Sequence, residues 1–310
     1  MKKIMYAVSA IAAVFSGNAL ADVSVSGSGQ FNYTSAASNG YTATSGGISF
    51  ALSTTTAGGV AISTSGGITQ DAEATDSDGH TGFTSLAFAT GGATITVSND
   101  ISAGSAGSVG GVASALVDRG HNTIGASPAI MSGGDHDGAG VSLATSMGSA
   151  SITATYVWDA SGDADGEGNT AASDTVTGVK LSMPMGPLTT TISHVTYTDG
   201  SSSDDTISAV AASYAVGGGT LSLAYESSTG GTKATETSGA YSMSLDADTT
   251  MAIGYTQADE GTTSNTVTEA KVTRAIGGGA SVYAEVKNSS GSGASGGEAS
   301  TFAVGTSVTF

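Results

Sequence analysis

Carboxylates and imidazoles give this chain its widest chemical reach. Asp163-Ala164-Asp165-Gly166-Glu167-Gly168-Asn169 alternates oxygen donors around glycine, a composition suited to a hard cation such as Ca2+. The order of a helix-flanked calcium loop is absent, because Gly166 follows directly on the second aspartate. Asp163, Asp165 and Glu167 are therefore a candidate Ca2+ site, set against the plainer reading of a solvated acidic loop. Asp76-Ser77-Asp78-Gly79 is a shorter variant. No motif calls for any other cofactor. The histidines are His80, His121, His136 and His194, and none has H-E-x-x-H spacing. There is no cysteine, and no G-x-S-x-G elbow sits between a strand and a helix to offer a nucleophile. A Ser–His pair built on His194 is the one hydrolytic arrangement left, and the chain reads as a non-enzyme.

The framework carrying these residues is written in alternation. The last ten residues put Phe302, Val304, Thr306, Val308 and Phe310 on one side and Ala303, Gly305, Ser307 and Thr309 on the other, the period-two pattern of a strand. Val23, Val25, Gly27, Gly29, Phe31 and Tyr33 do the same near the start. Between them lie further such segments, among them Ile48-Phe50-Leu52, Ile152-Ala154-Tyr156-Trp158, Val210-Ala212-Tyr214-Val216 and Val282-Ala284-Val286, sixteen in all. Leu188 to Thr198 has a less regular phase. Connections alternate in length. Tight turns are expected at 90–92, 147–149, 184–187, 217–219, 246–248 and 277–279. Longer polar loops are expected at about 35–44, 70–80, 101–138, 159–173, 199–205, 228–235, 258–264 and 289–298.

Met1-Lys2-Lys3, an apolar stretch from Ile4 to Phe15, and Ala19-Leu20-Ala21 read as a cleaved secretory signal over 1–21. The mature chain, 22–310, then has 289 residues with 6 bases against 26 acids, a balance of −20. That charge excludes a nucleic-acid partner, which needs a cationic surface, and it attracts cations. Strands with one apolar face fit a soluble sandwich or a barrel in lipid. The apolar faces here are thin in bulk, being rich in Ala, Val, Gly and Thr. They make poor core material but suffice against lipid. In lipid every backbone polar group must pair within the protein, which a closed barrel achieves. The fold expected is all-β: a transmembrane antiparallel β-barrel of sixteen strands forming a single domain. An acidic, secreted or surface-attached β-rich adhesin without channel activity is the alternative.

The export signal, even strand count, alternation of short and long connections, an outsized connection after the fifth strand, and terminal Phe310 together resemble the general diffusion porins, sixteen-stranded and trimeric. The resemblance spans the mature chain. It implies a bacterial outer-membrane location, short periplasmic turns and long external loops. It also implies a homotrimer in contact with outer-membrane lipid and lipopolysaccharide, and passive diffusion of small hydrophilic solutes and ions. In that family the third long loop folds into the pore, which here is about 101–138. Val112-Ala113-Ser114-Ala115-Leu116-Val117 would prop it against the inner wall, leaving Asp118, Arg119, His121, Asp135 and Asp137 at the constriction. Parity puts Lys180, Lys271 and Lys287 on the polar face as wall residues, with Glu226, Glu236, Glu269 and Glu285 among the lumen acids; Arg274 is ambiguous. No arginine cluster faces the loop, so a weakly cation-selective pore is expected, since carboxylates favour cations. Gly27 and Gly29 are small enough for close subunit packing.

Overall fold

The computed structural model describes residues 21–36, 39–71, 79–83, 85–102, 137–159, 175–198, 205–229, 233–291 and 299–310. The strands are β1 (Ala21–Ala36), β2 (Asn39–Thr55), β3 (Ala61–Asp71), β4 (Gly79–Thr81), β5 (Ser85–Thr90), β6 (Ala93–Ser102), β7 (Asp137–Met147), β8 (Ala150–Asp159) and β9 (Thr175–Met185). They continue as β10 (Leu188–Thr198), β11 (Asp205–Val216), β12 (Gly219–Thr229), β13 (Ala234–Ser244), β14 (Thr249–Glu260), β15 (Thr263–Gly277), β16 (Ala280–Gly291) and β17 (Ala299–Thr309). β4 and β5 both pair with β3, at Thr81↔Gly67 and Ala89↔Ala61, so they are two pieces of one interrupted stave. The cylinder thus has sixteen staves, and no described residue is helical.

Each strand runs antiparallel to its neighbours, and β17 returns to pair with β1 from Ser28↔Thr309 to Ser35↔Phe302. Closure removes the unpaired edges an open sheet would present. Register then fixes the faces. Val25 faces Phe50 across β1–β2, Leu143 faces Ala154 across β7–β8, and Val210 faces Tyr225 across β11–β12. These rows point outward, where Val25, Leu143, Val210, Leu223, Tyr225 and Ile253 are all exposed. Apolar side chains outside and polar ones inside invert the order of a soluble core, as a barrel in lipid requires.

Aromatic residues bound the apolar band. On the loop side, Tyr33 stacks obliquely on Phe302 (6.2 Å between centroids) and Tyr156 on Trp158 (6.3 Å). On the turn side stand Tyr214, Tyr241 and Phe310. From Phe302 to Phe310 the chain advances roughly 27 Å, or about 20 Å once tilted by ~40°, close to the apolar height of such barrels.

The strands outrun the expected bounds. β1, β2 and β15 have 16, 17 and 15 residues, beyond the ~9–11 that cross hydrocarbon. The long loop expected at 35–44 is not there, because the β1–β2 ladder continues to Ala36↔Asn39. At 258–264 a two-residue turn, Gly261 and Thr262, joins Glu260↔Thr263. Outside lipid a stave needs no apolar row, and threonine fits a pleated surface. Polar composition therefore does not mark where these strands stop.

Small residues let the wall close tightly. Gly305 lies under the Tyr283 ring, and a Cβ there would collide with that ring and with the Phe31 carbonyl oxygen. Gly27 lies under Phe310 in the same way, so it is filled from within the chain and offers no bare surface for a neighbouring subunit. A Gly305→Ala substitution should lower stability by about 1–3 kcal/mol. Gly29→Ala, where a Cβ meets nothing within 4 Å, should be nearly neutral. Denaturant unfolding of the two variants in detergent checks this.

The turn from Leu245 to Asp248 closes without glycine. Asp246 Oδ1 accepts from the backbone N–H groups of Asp248 and Thr249, each at 2.8 Å. Asp246 Oδ2 accepts from the Thr249 hydroxyl at 3.1 Å and from Arg274 Nη1 at 3.3 Å. The Asp248 amide, then the Thr249 hydroxyl and amide, then the Arg274 charge hold the Asp246 carboxyl below its ordinary value of 3.8. A depressed carboxyl stabilises the fold above its unfolded pKa, and the contribution fades as pH falls through the lowered one. The stability gap between wild type and Asp246→Ala should therefore be full at neutral pH and shrink below about pH 4, as thermal unfolding across pH will show.

Candidate functional site

The inner face of β15 and β16 carries a crosswise pattern of charge. Glu269 lies opposite Lys287, and Lys271 opposite Glu285. Two-residue spacing keeps each pair on one face, and antiparallel register brings unlike charges together. Lys271 Nζ is 3.4 Å from Glu285 Oε2, and Lys287 Nζ is 3.7 Å from Glu269 Oε1. Three of these side chains are almost fully buried, and Lys271 is largely so. Burial strengthens the attraction but makes separation costly, since a lone charge would remain. The patch is neutral over its four charges.

Tyr283 organises the same wall. It belongs to the inward row with Glu285 and Lys287, contrary to the general outward parity of the aromatics. Lys271 Nζ sits 5.1 Å from its ring centroid, a cation–π contact. Gln30 Nε2 of β1 donates to the Tyr283 hydroxyl at 2.6 Å. The charged patch is thereby tied across β17 to the first strand.

Two more carboxylates stand further round the wall. Glu226 of β12 and Glu236 of β13 are directly opposite in register, and each is 3% exposed. Lys180 of β9 faces inward between Thr153 and Ser193, apart from the crosswise patch. The expected wall residues thus divide: Glu269, Lys271, Glu285 and Lys287 come together, while Lys180 stands alone among them.

An apolar patch also lines the inner face. Val157 and Val176 are opposite each other and fully buried, with Ile101, Val195, Ile207 and Ala234 in the same cluster and Tyr197 against it. Alternation conceals such residues, because Val157 lies between Tyr156 and Trp158 of the outward row. Val195 explains the irregular phase of Leu188 to Thr198: the apolar side chains of β10 change face, from Ile192 outward to Val195 and Tyr197 inward.

Other expected residues lie elsewhere. Arg274 is on the outward row with Val272, reaching Asp246 at the turn rim and Thr249 Oγ1 at 2.7 Å. His194 is outward too, with Nδ1 2.9 Å from Ser208 Oγ. Asp137 opens β7 opposite Ser102. Asp118, Arg119, His121 and Asp135 lie outside the described residues, as do Asp163, Asp165 and Glu167. Among the described residues no three His, Cys, Asp or Glu side chains are grouped to hold a metal.

No protein-family model matches the chain, and no curated protein sequence does. Solved structures do. An engineered variant of the Rhodobacter blastica porin is 16% identical, covers 93% of this chain and all of its own, and has a TM-score of 0.67. An anion-selective porin from Comamonas acidovorans is 13% identical, covers 94% of this chain and all of its own, with a TM-score of 0.68. A further porin, 13% identical over 93% of this chain and 100% of its own, also scores 0.68. At such low identity the likeness speaks for architecture, and the architecture of this chain is that of the general porins.

Proposed function

We propose that the protein is an outer-membrane porin: a water-filled channel for passive diffusion of small hydrophilic solutes and ions, weakly selective for cations. The observation that carries this reading is the inside-out wall. Lys180, Glu226, Glu236, Glu269, Lys271, Glu285 and Lys287 all stand on the inner face, while the outer face bears apolar rows between two aromatic belts. Cation preference rests on what the crosswise patch leaves over. Lys271 and Lys287 are each matched by a carboxylate, and Glu226 and Glu236 tip the wall toward negative charge. The Comamonas porin, anion-selective by its description, shares the architecture, so side chains rather than fold decide selectivity.

The connection between β6 and β7, expected at about 101–138, serves on this reading as the constriction, with Asp118, Arg119, His121 and Asp135 at the narrowing and Asp137 where it rejoins the wall. Support comes from the inner apolar patch around Val157 and Val176. Apolar surface in an aqueous lumen gains from a cover, and the Val112–Val117 run is a cover of matching chemistry. Residues 1–21 act as the export signal. The barrel assembles as a trimer, for which the outward pair Gly29↔Gly46 offers a surface free of bulk. Asp163, Asp165 and Glu167 are a candidate Ca2+ site, against the reading of a solvated acidic loop.

Reversal potentials in planar bilayers test the channel and its selectivity together. Wild type should conduct with a modest cation preference. The double substitution Glu226→Gln and Glu236→Gln should lower the cation-to-anion permeability ratio about twofold, equivalent to ~0.4 kcal/mol. Absence of conductance, or anion preference in wild type, would contradict the reading.

A further inference from the structure

We propose that the outer face of β9–β12 around His194 is a binding site for the phosphate of an anionic lipid headgroup. The proposal rests on the reading that this face meets lipid. His194 is exposed on β10, directly opposite Ser208 of β11. Its Nδ1 is 2.9 Å from Ser208 Oγ and its Nε2 is 3.5 Å from Thr196 Oγ1. With the Ser208 hydroxyl donating to Nδ1, the proton on Nε2 is left with a long contact to Thr196 and can be given to an incoming oxygen. Around the ring the same face presents Thr177, Thr196, Thr206, Ser208, Ser227 and Thr229. Thr206 and Thr229 share a hydrogen bond there.

Three features point to an anion at this height. The groups on offer are hydroxyl and imidazole donors. Among the described residues, the outward rows of β9 to β12 hold no carboxylate, although the whole chain carries 26 acids against 8 bases. The rows on the turn side of His194 are apolar, with Val179 beside it and Leu181, Ile192, Val210 and Tyr225 next, while Tyr156 flanks Thr177. The donor field therefore begins where the apolar band ends, and that is where phosphates of a bilayer lie. Acyl transfer by the Ser–His pair is disfavoured by the same geometry. The backbone N–H groups beside Ser208 are committed to the strand ladders, so none is aimed at a developing oxyanion.

The experiment uses the full chain in nanodiscs of phosphatidylcholine containing a minority of phosphatidylglycerol, with retained lipid counted by native mass spectrometry. Wild type should retain phosphatidylglycerol in preference to phosphatidylcholine. His194→Ala should weaken that preference about tenfold, the loss of a charge-assisted hydrogen bond. Val210→Ala, in the apolar row, should leave it unchanged. Ser208→Ala serves as a second variant should His194→Ala assemble poorly, and it should weaken retention in the same direction. Excess inorganic phosphate should not displace the lipid. Equal retention by wild type and the two site variants overturns the proposal, and so does displacement by inorganic phosphate. Bilayer conductance of His194→Ala should match wild type, so a failed lipid site and a failed channel reading are told apart.

Discussion

Pairing of the backbone with itself is the constraint on which the rest of this structure depends. A sheet surrounded by lipid finds no water for its N–H and C=O groups, and each unpaired group costs several kcal/mol. The chain meets that demand by joining its last strand to its first. At the seam the Gly27 N–H donates to the Phe310 carbonyl at 2.8 Å, and the Phe310 N–H to the Gly27 carbonyl at 3.0 Å. The Phe310 ring then covers Gly27 from outside. One terminal residue supplies the final hydrogen bonds, an apolar cover and part of the turn-side aromatic belt.

Once the cylinder is closed, alternation decides everything else. Each residue has only two destinations, lipid or lumen, and a one-residue slip would exchange them. Among the described residues Lys180, Glu226, Glu236, Glu269, Lys271, Glu285 and Lys287 therefore stand on inner rows, while Arg274 stands on the outer row near the turns. On the inner face the register of β15 with β16 converts four charges into a neutral patch, held by Tyr283 and Gln30. The acids Glu226 and Glu236 of β12 and β13 stand opposite each other further round the same inner face. The ends of the staves answer to other rules, as the glycine-free turn at Asp246 and the hydroxyl field around His194 illustrate.

The fold was legible in the sequence because period two is a property of one strand at a time. Rows such as Phe302-Val304-Thr306-Val308-Phe310 declare one apolar face without any knowledge of neighbours, and the thin bulk of such rows together with the export signal pointed that face to lipid. Strand ends were less legible. The residues about 35–44 and 258–264 are polar enough to read as loops, yet their ladders persist because hydrogen bonding, rather than burial, holds them there. The wall residues Lys180, Glu269, Lys271, Glu285 and Lys287 were readable by parity. Their pairing was not, since Glu269 meets Lys287 only through the register of two strands. Tyr283 and Val157 went unread for a related reason: each is an apolar or aromatic residue on a face reserved, by the simple rule, for polar ones.

The central claim is that adjacent residues of one strand face opposite solvents, and single-cysteine labelling along β12 tests it most directly in a chain that has no native cysteine. Cysteines at Leu221, Leu223 and Tyr225 should carry fluorophores quenched from within the bilayer and closed to aqueous thiol reagents. Cysteines at Thr220 and Ser222, on the inner row and not buried, should show the reverse. If the Leu223 row were shielded from lipid quenchers while the Glu226 row lay open on the outside, the barrel would be turned the wrong way round and the channel would go with it.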